Sequence, residues 1–480
     1  MGDKNTCWAS CTNCRGLGKK RRRLRKRVRL QYQRELKQFQ ESLGQAKAPI
    51  RPPAPQEVCS QCKGSGLVAV TKNPLPDEEN HPHIAIIGGG IGGIALAVAC
   101  LHREIPFTLY ERDRSFEARS QGYGLTLQQA SASMKGLGIS SLAEGVVSTK
   151  HVVHTPEGKV IGEWGMRKWL EANGSNSLKK SNIHIARQKL RSALLEQLGG
   201  KNKVQWGHEL VDFKESKDKR IELVFDVEGK CVTTKADLMV GADGIRSNVR
   251  NLSIGEEITP LNYLGCIVIL GICPLKSLDG LAHPLLDSAT VFQTANGKER
   301  MYMMPYDSDT IMWQFSFPIA EKEAKDLSQK GARALKKETL RRAQWHDPIP
   351  QILAATCETL VSGYPVYDRP LLQPKLLENR KQITLIGDSA HPMSPFKGQG
   401  ANQAILDALA LAREIARGCS SKNEWRKEGI RTAVLTAFEL EMIERTATKV
   451  KESAAAAKFL HSEAVLQQSD APRGRFLKGN

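Results

Sequence analysis

Residues 83–111, HIAIIGGGIGGIALAVACLHREIPFTLYE, decide the fold of this chain. They predict a strand, a glycine-rich turn, a helix and a second strand that ends in an acid, the order of a dinucleotide-binding unit. Gly88 permits the tight turn, Gly90 lets the backbone approach a pyrophosphate, and Gly93 lets the helix pack closely on the strand. The amides at the helix N-terminus face the phosphates, and Glu111 is placed to accept hydrogen bonds from an adenosine ribose.

Length and composition bound the class of protein. A chain of 480 residues predicts roughly two to four domains. It has no run of about 18 apolar residues and no apolar stretch near its start, so neither a membrane span nor secretion is predicted. Eleven cysteines, several of them in apolar runs, suit a reducing compartment. We therefore expect an intracellular protein without a transmembrane segment, most simply a cytoplasmic one.

The formal net charge of +19 is unevenly distributed. Residues 1–80 contain 17 Lys and Arg against 7 Asp and Glu, so more than half of the excess lies in one sixth of the length. The remaining residues are only moderately basic, as expected for a protein that binds an anionic cofactor. Charge alone therefore does not make the main body a nucleic-acid binder.

Four cysteines lie in two copies of one pattern, CxxCxGxG, at 11–18 and 59–66. Paired thiolates at this spacing can bind one tetrahedral zinc ion, and unlinked thiols are the alternative. The pattern resembles the zinc-binding repeats of DnaJ-type co-chaperones, which have four repeats where this chain has two, enough for one ion. The predicted ligands are Cys11, Cys14, Cys59 and Cys62.

The basic run KKRRRLRKRVR at 19–29 opens a predicted amphipathic helix within 19–46. Its apolar residues recur every three or four positions, at Leu24, Val28, Tyr32, Leu36, Phe39 and Leu43. The basic half could contact nucleic acid, an anionic membrane surface or a protein, or act as a nuclear address. A solvated charged face is the alternative. Residues 1–70 are thus predicted to form a zinc-binding pair with a basic helix, and residues 71–82 a linker.

Two later motifs indicate which dinucleotide is bound. At 236–250 the chain reads ADLMVGADGIRSNVR, an apolar strand that runs into Asp243. At 382–410 it reads QITLIGDSAHPMSPFKGQGANQAILDALA, a strand that enters Gly387-Asp388, then a Pro- and Gly-rich loop and a helix. Three turns at strand ends can converge on one extended ligand.

In order and context these motifs resemble the group A flavin-dependent aromatic hydroxylases, the family of para-hydroxybenzoate hydroxylase and of tetracycline-inactivating monooxygenases. The resemblance covers residues 83–420. It implies an α/β fold with a Rossmann-like FAD-binding domain, in segments at about 83–250 and 370–420, and an antiparallel-sheet substrate domain at about 250–370. Residues 421–480 are predicted to form a C-terminal helical extension.

The resemblance also implies roles for individual residues. Asp388 would bind the ribityl chain of FAD, and the loop 395–402 would lie against the isoalloxazine ring, where the amides of the helix near Asn402 stabilise negative charge. A plain helix entry is the alternative for this loop. The predicted cofactor-binding residues are Gly88, Gly90, Gly93, Glu111, Arg112, Arg119, Arg187, Asp243, Gly387, Asp388, Gly398, Gly400 and Asn402.

Three arginines in this set match different parts of the family pattern. Arg187 matches the arginine at the FAD phosphate or ribose. Arg119 matches one expected to contact the nicotinamide cofactor or the flavin, and Arg112 would flank the adenosine, although both could equally be surface guanidinium groups. In the tetracycline-inactivating branch the next strand contains an acidic residue near the flavin. The matching residue in this chain is Thr126, which leaves that contact with the flavin in doubt.

The function implied is that of an FAD-dependent monooxygenase, which uses NAD(P)H and dioxygen to hydroxylate an aromatic or other electron-rich small molecule. No second GxGxxG motif precedes an acidic strand end, so NAD(P)H would bind transiently as a co-substrate. The cofactor carries the chemistry, so no catalytic side chain is predicted, and His391 is expected to be structural. Residues Met301, Met303, Met304, Trp313, Phe315 and Phe317 could line the substrate pocket or form core.

Two alternative functions remain open at this stage. One is a flavin halogenase, because residues 313–318, WQFSFP, distantly echo a halogenase motif. The other is a flavin-containing redox-sensing protein that binds its partner through the basic zinc-knuckle region.

Overall fold

The computed structural model describes residues 6–42, 49–50, 52, 54–118, 122–166, 182–216, 219–419 and 425–473. The chain divides into two compact units, Met1–Leu75 and Pro76–Asn480. The division falls inside the predicted linker at 71–82, and the other domain boundaries remain predictions.

The first unit contains two short antiparallel strand pairs and one helix. Its elements are β1 (Cys7–Ser10), β2 (Lys19–Arg21), α1 (Lys26–Glu41), β3 (Gln56–Val58) and β4 (Leu67–Val70). β1 pairs with β4 and β2 pairs with β3. No described side chain of α1 is buried within this unit.

The helix predicted within 19–46 begins later than the pattern indicated. Lys19–Arg21 pair with Gln56–Val58 as a strand, so the first basic residues cannot be helical. Leu24 therefore precedes the helix, which begins at Lys26, and Leu43 lies outside the described residues. The prediction was wrong here because a spacing of apolar side chains does not show where a long-range strand pair interrupts the helix.

The second unit is larger and alternates strands with helices. Its strands are β5 (Ile84–Ile87), β6 (Phe107–Glu111), β7 (Gly124–Leu127), β8 (Val146–Val147), β9 (Lys150–His154), β10 (Val160–Trp164), β11 (Ile183–Ala186), β12 (Val204–Trp206), β13 (Glu209–Glu215), β14 (Ile221–Val227), β15 (Lys230–Ala236), β16 (Leu238–Gly241), β17 (Asn262–Pro274), β18 (Thr290–Ala295), β19 (Arg300–Pro305), β20 (Thr310–Pro318), β21 (Val361–Asp368) and β22 (Ile383–Leu385). Its α-helices are α2 (Ile91–Leu101), α3 (Ala130–Ser133), α4 (Arg187–Leu198), α5 (Asn248–Ile254), α6 (Glu321–Gln329), α7 (Gly331–Arg342), α8 (Ile349–Ala355), α9 (Gly400–Gly418), α10 (Trp425–Glu428) and α11 (Thr436–Phe459).

A five-stranded parallel sheet, in the order β12-β6-β5-β16-β22, forms one half of this unit. Three neighbouring strands, β5, β16 and β22, are completely buried, which explains their continuous apolar sequences. The helices α2 and α9 pack against each other in the same core, and most of their apolar residues are buried. The carboxyl ends of β5, β16 and β22 thus lie side by side at one edge of the sheet.

A seven-stranded sheet, in the order β10-β9-β18-β19-β20-β17-β21, forms the other half. It is antiparallel except for the β9–β18 pair. Four of its strands, β17 to β20, lie in the segment where the resemblance implied an antiparallel-sheet substrate domain. Two smaller sheets, β7-β11-β8 and β13-β14-β15, complete the described strands.

Two helical segments of the second unit are interrupted. α6 and α7 are separate helices, because Gly331 at the start of α7 adopts a positive φ of 81°. The predicted C-terminal extension contains α10, a π-helical turn at Arg431–Leu435 and α11. Phe438 and Met442 of α11 are buried in the core that also contains the parallel sheet.

Candidate functional site

The three predicted turns are in direct contact at the carboxyl ends of the parallel strands. Gly88 has a φ of 112°, and a Cβ atom there would lie 2.5 Å from the carbonyl oxygen of Ala242. The Ser389 hydroxyl donates to Asp243 Oδ1 at 3.0 Å and accepts from the Gly244 amide at 3.0 Å. The first turn therefore touches the second, and the second is hydrogen-bonded to the third.

Two glycines of the first turn have different surroundings. A Cβ atom at Gly93 would lie 1.9 Å from the Gly88 carbonyl oxygen, so this glycine permits the contact between α2 and the turn. A Cβ atom at Gly90 would meet nothing closer than Ala242 O at 3.9 Å and Arg187 Nη2 at 4.0 Å. Gly90 thus faces open space at the N-terminus of α2, where backbone amides favour an anion.

Glu111 at the end of β6 is buried and accepts two backbone hydrogen bonds. Its donors are the Gly89 amide at 2.7 Å and the Asp113 amide at 3.0 Å. On the other side of the loop, Arg191 donates from Nε and Nη2 to the Gly89 carbonyl at 3.1 and 2.8 Å. The Glu111 carboxylate and the Arg191 guanidinium together hold the glycine-rich loop between β5 and α2.

A small pocket of about 120 Å³ lies over this loop. Six of the predicted cofactor-binding residues line it, namely Gly88, Gly90, Glu111, Arg112, Arg187 and Asp243. The buried Asp243 carboxyl also accepts from the Val249 amide at 3.2 Å. Burial raises its pKa, although hydrogen bonds from Ser247, Val249 and Ser389 oppose this effect.

A larger cavity of about 760 Å³ adjoins the small pocket, and Arg246 lines both. Its volume is within the range of about 300–1,000 Å³ that ligand sites usually have. Asp388, Gly398 and Gly400, which the sequence analysis assigns to a flavin site, line this cavity. The cavity walls desolvate the Asp388 carboxyl and raise its pKa, while His391 and Arg187 act in the opposite direction.

Three residues of the predicted set are placed differently. Gly93 and Gly387 do not line either space, and the Gly387 amide donates to Asp407 Oδ2 at 2.8 Å. Asn402 is fully buried and clamps the loop to β7, because its Nδ2 donates to the carbonyls of Thr126 and Gly398 at 2.9 and 2.8 Å. Arg119 lies outside the described residues.

His391 belongs to a buried ionic network below the Gly387 turn. Its Nε2 is 2.6 Å from Asp407 Oδ2, and Arg445 donates to Asp407 Oδ1 at 2.8 Å. Burial raises the pKa of the Asp407 carboxyl, but His391 and Arg445 together outweigh burial and lower it. His391 does not line the cavity, so its position agrees with the structural role that the sequence indicated.

Neighbouring residues of a strand point to opposite faces of the seven-stranded sheet, so the candidate pocket residues fall into two groups. Met304 and Met312 line the cavity. Five other side chains pack into a core on the opposite face: Met301, Met303, Trp313, Phe315 and Phe317. The indole of Trp313 donates to Thr356 Oγ1 at 2.9 Å in that core. The halogenase-like motif is thus core packing on one face of β20.

Thr126 occupies the position at which the resembling branch has an acid. Its hydroxyl lies 3.0 Å from His184 Nδ1, and both residues line the cavity. Burial, together with His151, lowers the pKa of His184 to about 3, so this imidazole is neutral at neutral pH. Thr126, where the resembling branch has an acid, is thus hydrogen-bonded to a neutral histidine.

Sequence reasoning missed several residues that shape the site. Arg250 donates from Nη1 to the carbonyls of Ser389 and Ala390 at 2.8 and 2.9 Å and so links the second turn to the third. The sequence did contain one indication for Arg191: it follows Arg187 by four residues, so both side chains lie on the same face of the helix. No signal pointed to the lining residues from the C-terminal segment, which are Lys449, Glu452, Ala456, Phe459, Leu460, Pro472 and Arg473.

In the first unit, the four predicted cysteines come together in one cluster. Their Sγ atoms lie within 4.8 Å of one another, with Cys11–Cys59 at 3.9 Å and Cys14–Cys62 at 3.6 Å. All four are buried. The cluster fits a zinc-knuckle-like group and could hold one zinc ion.

The two cysteine repeats are related by reciprocal contacts. The Cys11 amide donates to Gly66 O at 2.8 Å, and the Cys59 amide donates to Gly18 O at 2.9 Å. In addition, the amides of Gly18 and Gly66 each donate to a cysteine sulfur of their own repeat, at 3.2 and 3.3 Å. Amide donors at sulfur stabilise thiolates, which is the form that a metal requires.

Residues 82–428 match the family described as FAD binding domain. The chain belongs to this family. It is 28% identical over 334 residues to the aurachin C monooxygenase/isomerase of Stigmatella aurantiaca, covering 69% of this chain and 79% of that protein. It is 26% identical over 352 residues to the chloroplastic zeaxanthin epoxidase of Solanum lycopersicum, covering 71% of this chain. It spans about half the length of that epoxidase, 49%.

Solved structures show the same fold. HpxO of Klebsiella pneumoniae, complexed with FAD and uric acid, matches with a TM-score of 0.65 at 19% identity over 83% of this chain and 95% of HpxO. The 2,6-dihydroxypyridine-3-hydroxylase of Arthrobacter nicotinovorans matches with a TM-score of 0.65 at 16% identity over 82% and 97% of the two chains. The protein is thus an FAD-binding oxidoreductase of the flavoprotein monooxygenase family.

None of the described helices combines the length and apolarity that crossing a bilayer requires.

Proposed function

We propose that this protein binds FAD across the small pocket and the large cavity and hydroxylates an aromatic or other electron-rich small molecule, using NAD(P)H and dioxygen. The observation that supports this most is the contact of three turns, from Gly88 through Asp243 to Ser389, along the border of the two spaces. A dinucleotide is long enough to need both spaces, and a single small ligand would need only one.

The residues of the small pocket suit the adenosine and the phosphates. Glu111 would accept hydrogen bonds from the ribose, and the amides at the N-terminus of α2 with Arg187 would bind the pyrophosphate. Glycine at position 90 leaves the space that a phosphate needs for close approach. Arg112 would flank the adenosine, since it lines the same pocket.

The residues of the large cavity suit the ribityl chain and the flavin ring. Asp388 would accept hydrogen bonds from the ribityl hydroxyls, and the loop with Gly398 and Gly400 leaves a flat surface for the ring. Asn402 would act indirectly, by holding this loop against β7. When bound, FAD supplies the chemistry: it accepts a hydride from NAD(P)H and activates dioxygen for transfer of one oxygen atom to the substrate.

The rest of the cavity would position the substrate and exclude water from it. Met304 and Met312 provide apolar wall, and the C-terminal segment closes one side through Phe459 and Leu460. The Ser469 amide donates to Ile161 O at 2.9 Å, which fastens that segment to β10. Exclusion of water protects the activated oxygen from unproductive release as peroxide.

The names of some relatives and structural neighbours support a ring-shaped substrate. Aurachin C monooxygenase/isomerase and 2,6-dihydroxypyridine-3-hydroxylase are named for such compounds, and HpxO is complexed with uric acid. We therefore propose a search among phenols, quinone precursors, polyketides and purines.

The test is a screen of these compounds for NAD(P)H oxidation and oxygen uptake by the FAD-loaded protein. We expect at least one compound to accelerate both and to gain one atom from isotope-labelled dioxygen. Asp388→Ala should lower FAD retention, whereas Asp326→Ala, which removes an exposed acid on α6, should not. Absence of flavin from the wild type even after addition of FAD would refute the proposal.

For the first unit we propose a structural zinc ion at the cysteine cluster and contact of its basic segment with phosphate groups. The segment from Lys19 to Arg29 carries nine Lys and Arg, and the side chains of α1 remain accessible within the unit. Phosphate is common to nucleic acids and anionic membranes. Binding of the full-length protein to RNA and to anionic vesicles, each over a range of salt, distinguishes the two sources; binding to neither refutes the contact.

A further inference from the structure

Two neighbouring side chains in the wall of the large cavity carry donors that lack an acceptor. Arg300 begins β19 and Gln293 lies on β18, and they are only 4% and 6% exposed. Arg300 Nε donates to Gln293 Oε1 at 3.0 Å, which fixes the two groups side by side. Within the described residues, Arg300 Nη1 and Gln293 Nε2 have no hydrogen-bond partner.

These groups are unusual because buried donors in proteins normally find acceptors. Leaving a buried donor unmet is costly, and the cost is greater for a charged group. Both side chains line the cavity, and a small movement of either would bring its unpaired nitrogen to an acceptor in that space. A molecule that enters the cavity can therefore supply the missing acceptor.

The charge of Arg300 indicates which kind of acceptor fits. Burial lowers the pKa of its guanidinium to about 10, and the nearby Tyr302 opposes this change, so the group is still positive at neutral pH. Its Cζ lies 4.8 Å from the centre of the Tyr302 ring. No carboxylate of the described chain forms an ion pair with it. A buried cation without a counter-ion favours an anionic ligand.

The cavity as a whole has the same preference. Among its described lining residues, the cationic side chains are Arg246, Arg300, Lys397, Lys449 and Arg473, and the acidic ones are Asp388 and Glu452. Lys397 and Glu452 pair with each other at 2.7 Å. The remaining lining charge is positive, which raises the local concentration of anions.

We infer that the substrate carries a carboxylate, and that Arg300 and Gln293 bind it. A carboxylate has two oxygens in one plane, which matches two adjacent donors from a guanidinium and an amide. Its single negative charge matches the single positive charge of the Arg300 guanidinium. The inference rests on the proposed monooxygenase function, since it names the substrate class of the same cavity.

The experiment uses the FAD-loaded full-length protein and pairs of ring compounds that differ only in charge. The pairs are benzoate with benzamide, salicylate with salicylamide, and nicotinate with nicotinamide. Binding is measured from the change in the visible flavin absorbance. In at least one pair the carboxylate should bind about tenfold more tightly than the amide, the usual magnitude of one charge-assisted hydrogen bond.

Variants then assign the preference to these residues. Arg300→Gln should weaken carboxylate binding at least about tenfold and leave amide binding within about twofold. Gln293→Leu should weaken it by a smaller factor. Lys298→Gln removes a positive charge from the exposed turn of the same hairpin and should change neither affinity.

Three outcomes overturn the inference. They are equal binding of carboxylate and amide in every pair, absence of binding by every probe, and a carboxylate preference that survives in Arg300→Gln. If Arg300→Gln fails to fold, the preference of the wild type and the Gln293→Leu variant still decide the question. Normal FAD binding and NAD(P)H oxidation with no carboxylate preference would refute this inference alone, whereas a protein that binds no FAD would refute the proposed function.

Discussion

Replacing Gly93 by alanine tests the packing that forms the nucleotide-binding turn. The added Cβ would lie 1.9 Å from the Gly88 carbonyl oxygen, so α2 or the turn must move. Overpacking of this kind costs about 3 kcal/mol at the upper end of its usual range. Alanine is the better helix former by about 1 kcal/mol. The free energy of unfolding should therefore fall by about 2 kcal/mol.

Gly90→Ala is the matched control, because the same methyl group there meets no atom closer than 3.9 Å. Alanine is a poorer helix N-cap than glycine, which costs about 1 kcal/mol or less. Its main effect should be on FAD, whose dissociation constant rises at least about tenfold because the methyl group fills the phosphate space.

The assay is chemical unfolding of the FAD-free proteins followed by circular dichroism, together with FAD titration of each. We expect Gly93→Ala to be the less stable variant and Gly90→Ala to be folded but deficient in FAD binding. A Gly93→Ala protein as stable as the wild type would refute the packing argument. A Gly90→Ala protein with normal FAD affinity would refute the assignment of this space to the phosphates.

Three further outcomes follow from the structure. The purified protein should contain about one zinc ion per chain by metal analysis; Cys59→Ser with Cys62→Ser should lose it and Cys7→Ser should retain it, and metal-free wild type would contradict the site. Burial lowers the pKa of His102 to about 3. Between about pH 5.5 and pH 4 the unfolded state binds its proton and the folded state does not, so the free energy of unfolding should decrease by about 1.4 kcal/mol per pH unit as the pH falls; His102→Gln should remove that part of the slope, and an unchanged slope in urea titrations would contradict it. Arg191→Met should weaken FAD binding, because the Gly89 carbonyl loses two donors; an FAD titration that matches the wild type would contradict that role.

The parts of the site that the sequence predicted well depend on local backbone constraints. A residue such as Gly88 must be glycine because its φ is positive and a Cβ atom there would collide with the next turn. Such requirements leave a pattern within a few residues along the chain. For this reason the nucleotide-binding turn and the apolar strand before it could be predicted together.

The parts that could not be predicted depend on contacts between distant segments. Strand alternation alone did not show which face of β20 lines the cavity, so Met312 could not be separated from Trp313 before the sheet was known. The same holds for Arg300, whose importance depends on its neighbour Gln293 and on burial. The contribution of Phe459 required the packing of α11 against the cavity.

The basic segment illustrates a different limit. Its charge and apolar spacing predicted a helix, and the helix exists from Lys26 onward. The pairing of Lys19–Arg21 with Gln56–Val58 depends on how the two cysteine repeats meet, and helical periodicity contains no information about that contact.

The most direct test of the central claim, that the two adjoining spaces form one FAD site, is a titration of the FAD-depleted full-length protein with FAD. Flavin fluorescence and absorbance report the binding. The structure predicts saturation at one FAD per chain, with affinity reduced both by Gly90→Ala in the small pocket and by Asp388→Ala in the large cavity. Absence of binding, or loss of affinity in only one of these two folded variants, would contradict a single cofactor that spans both spaces.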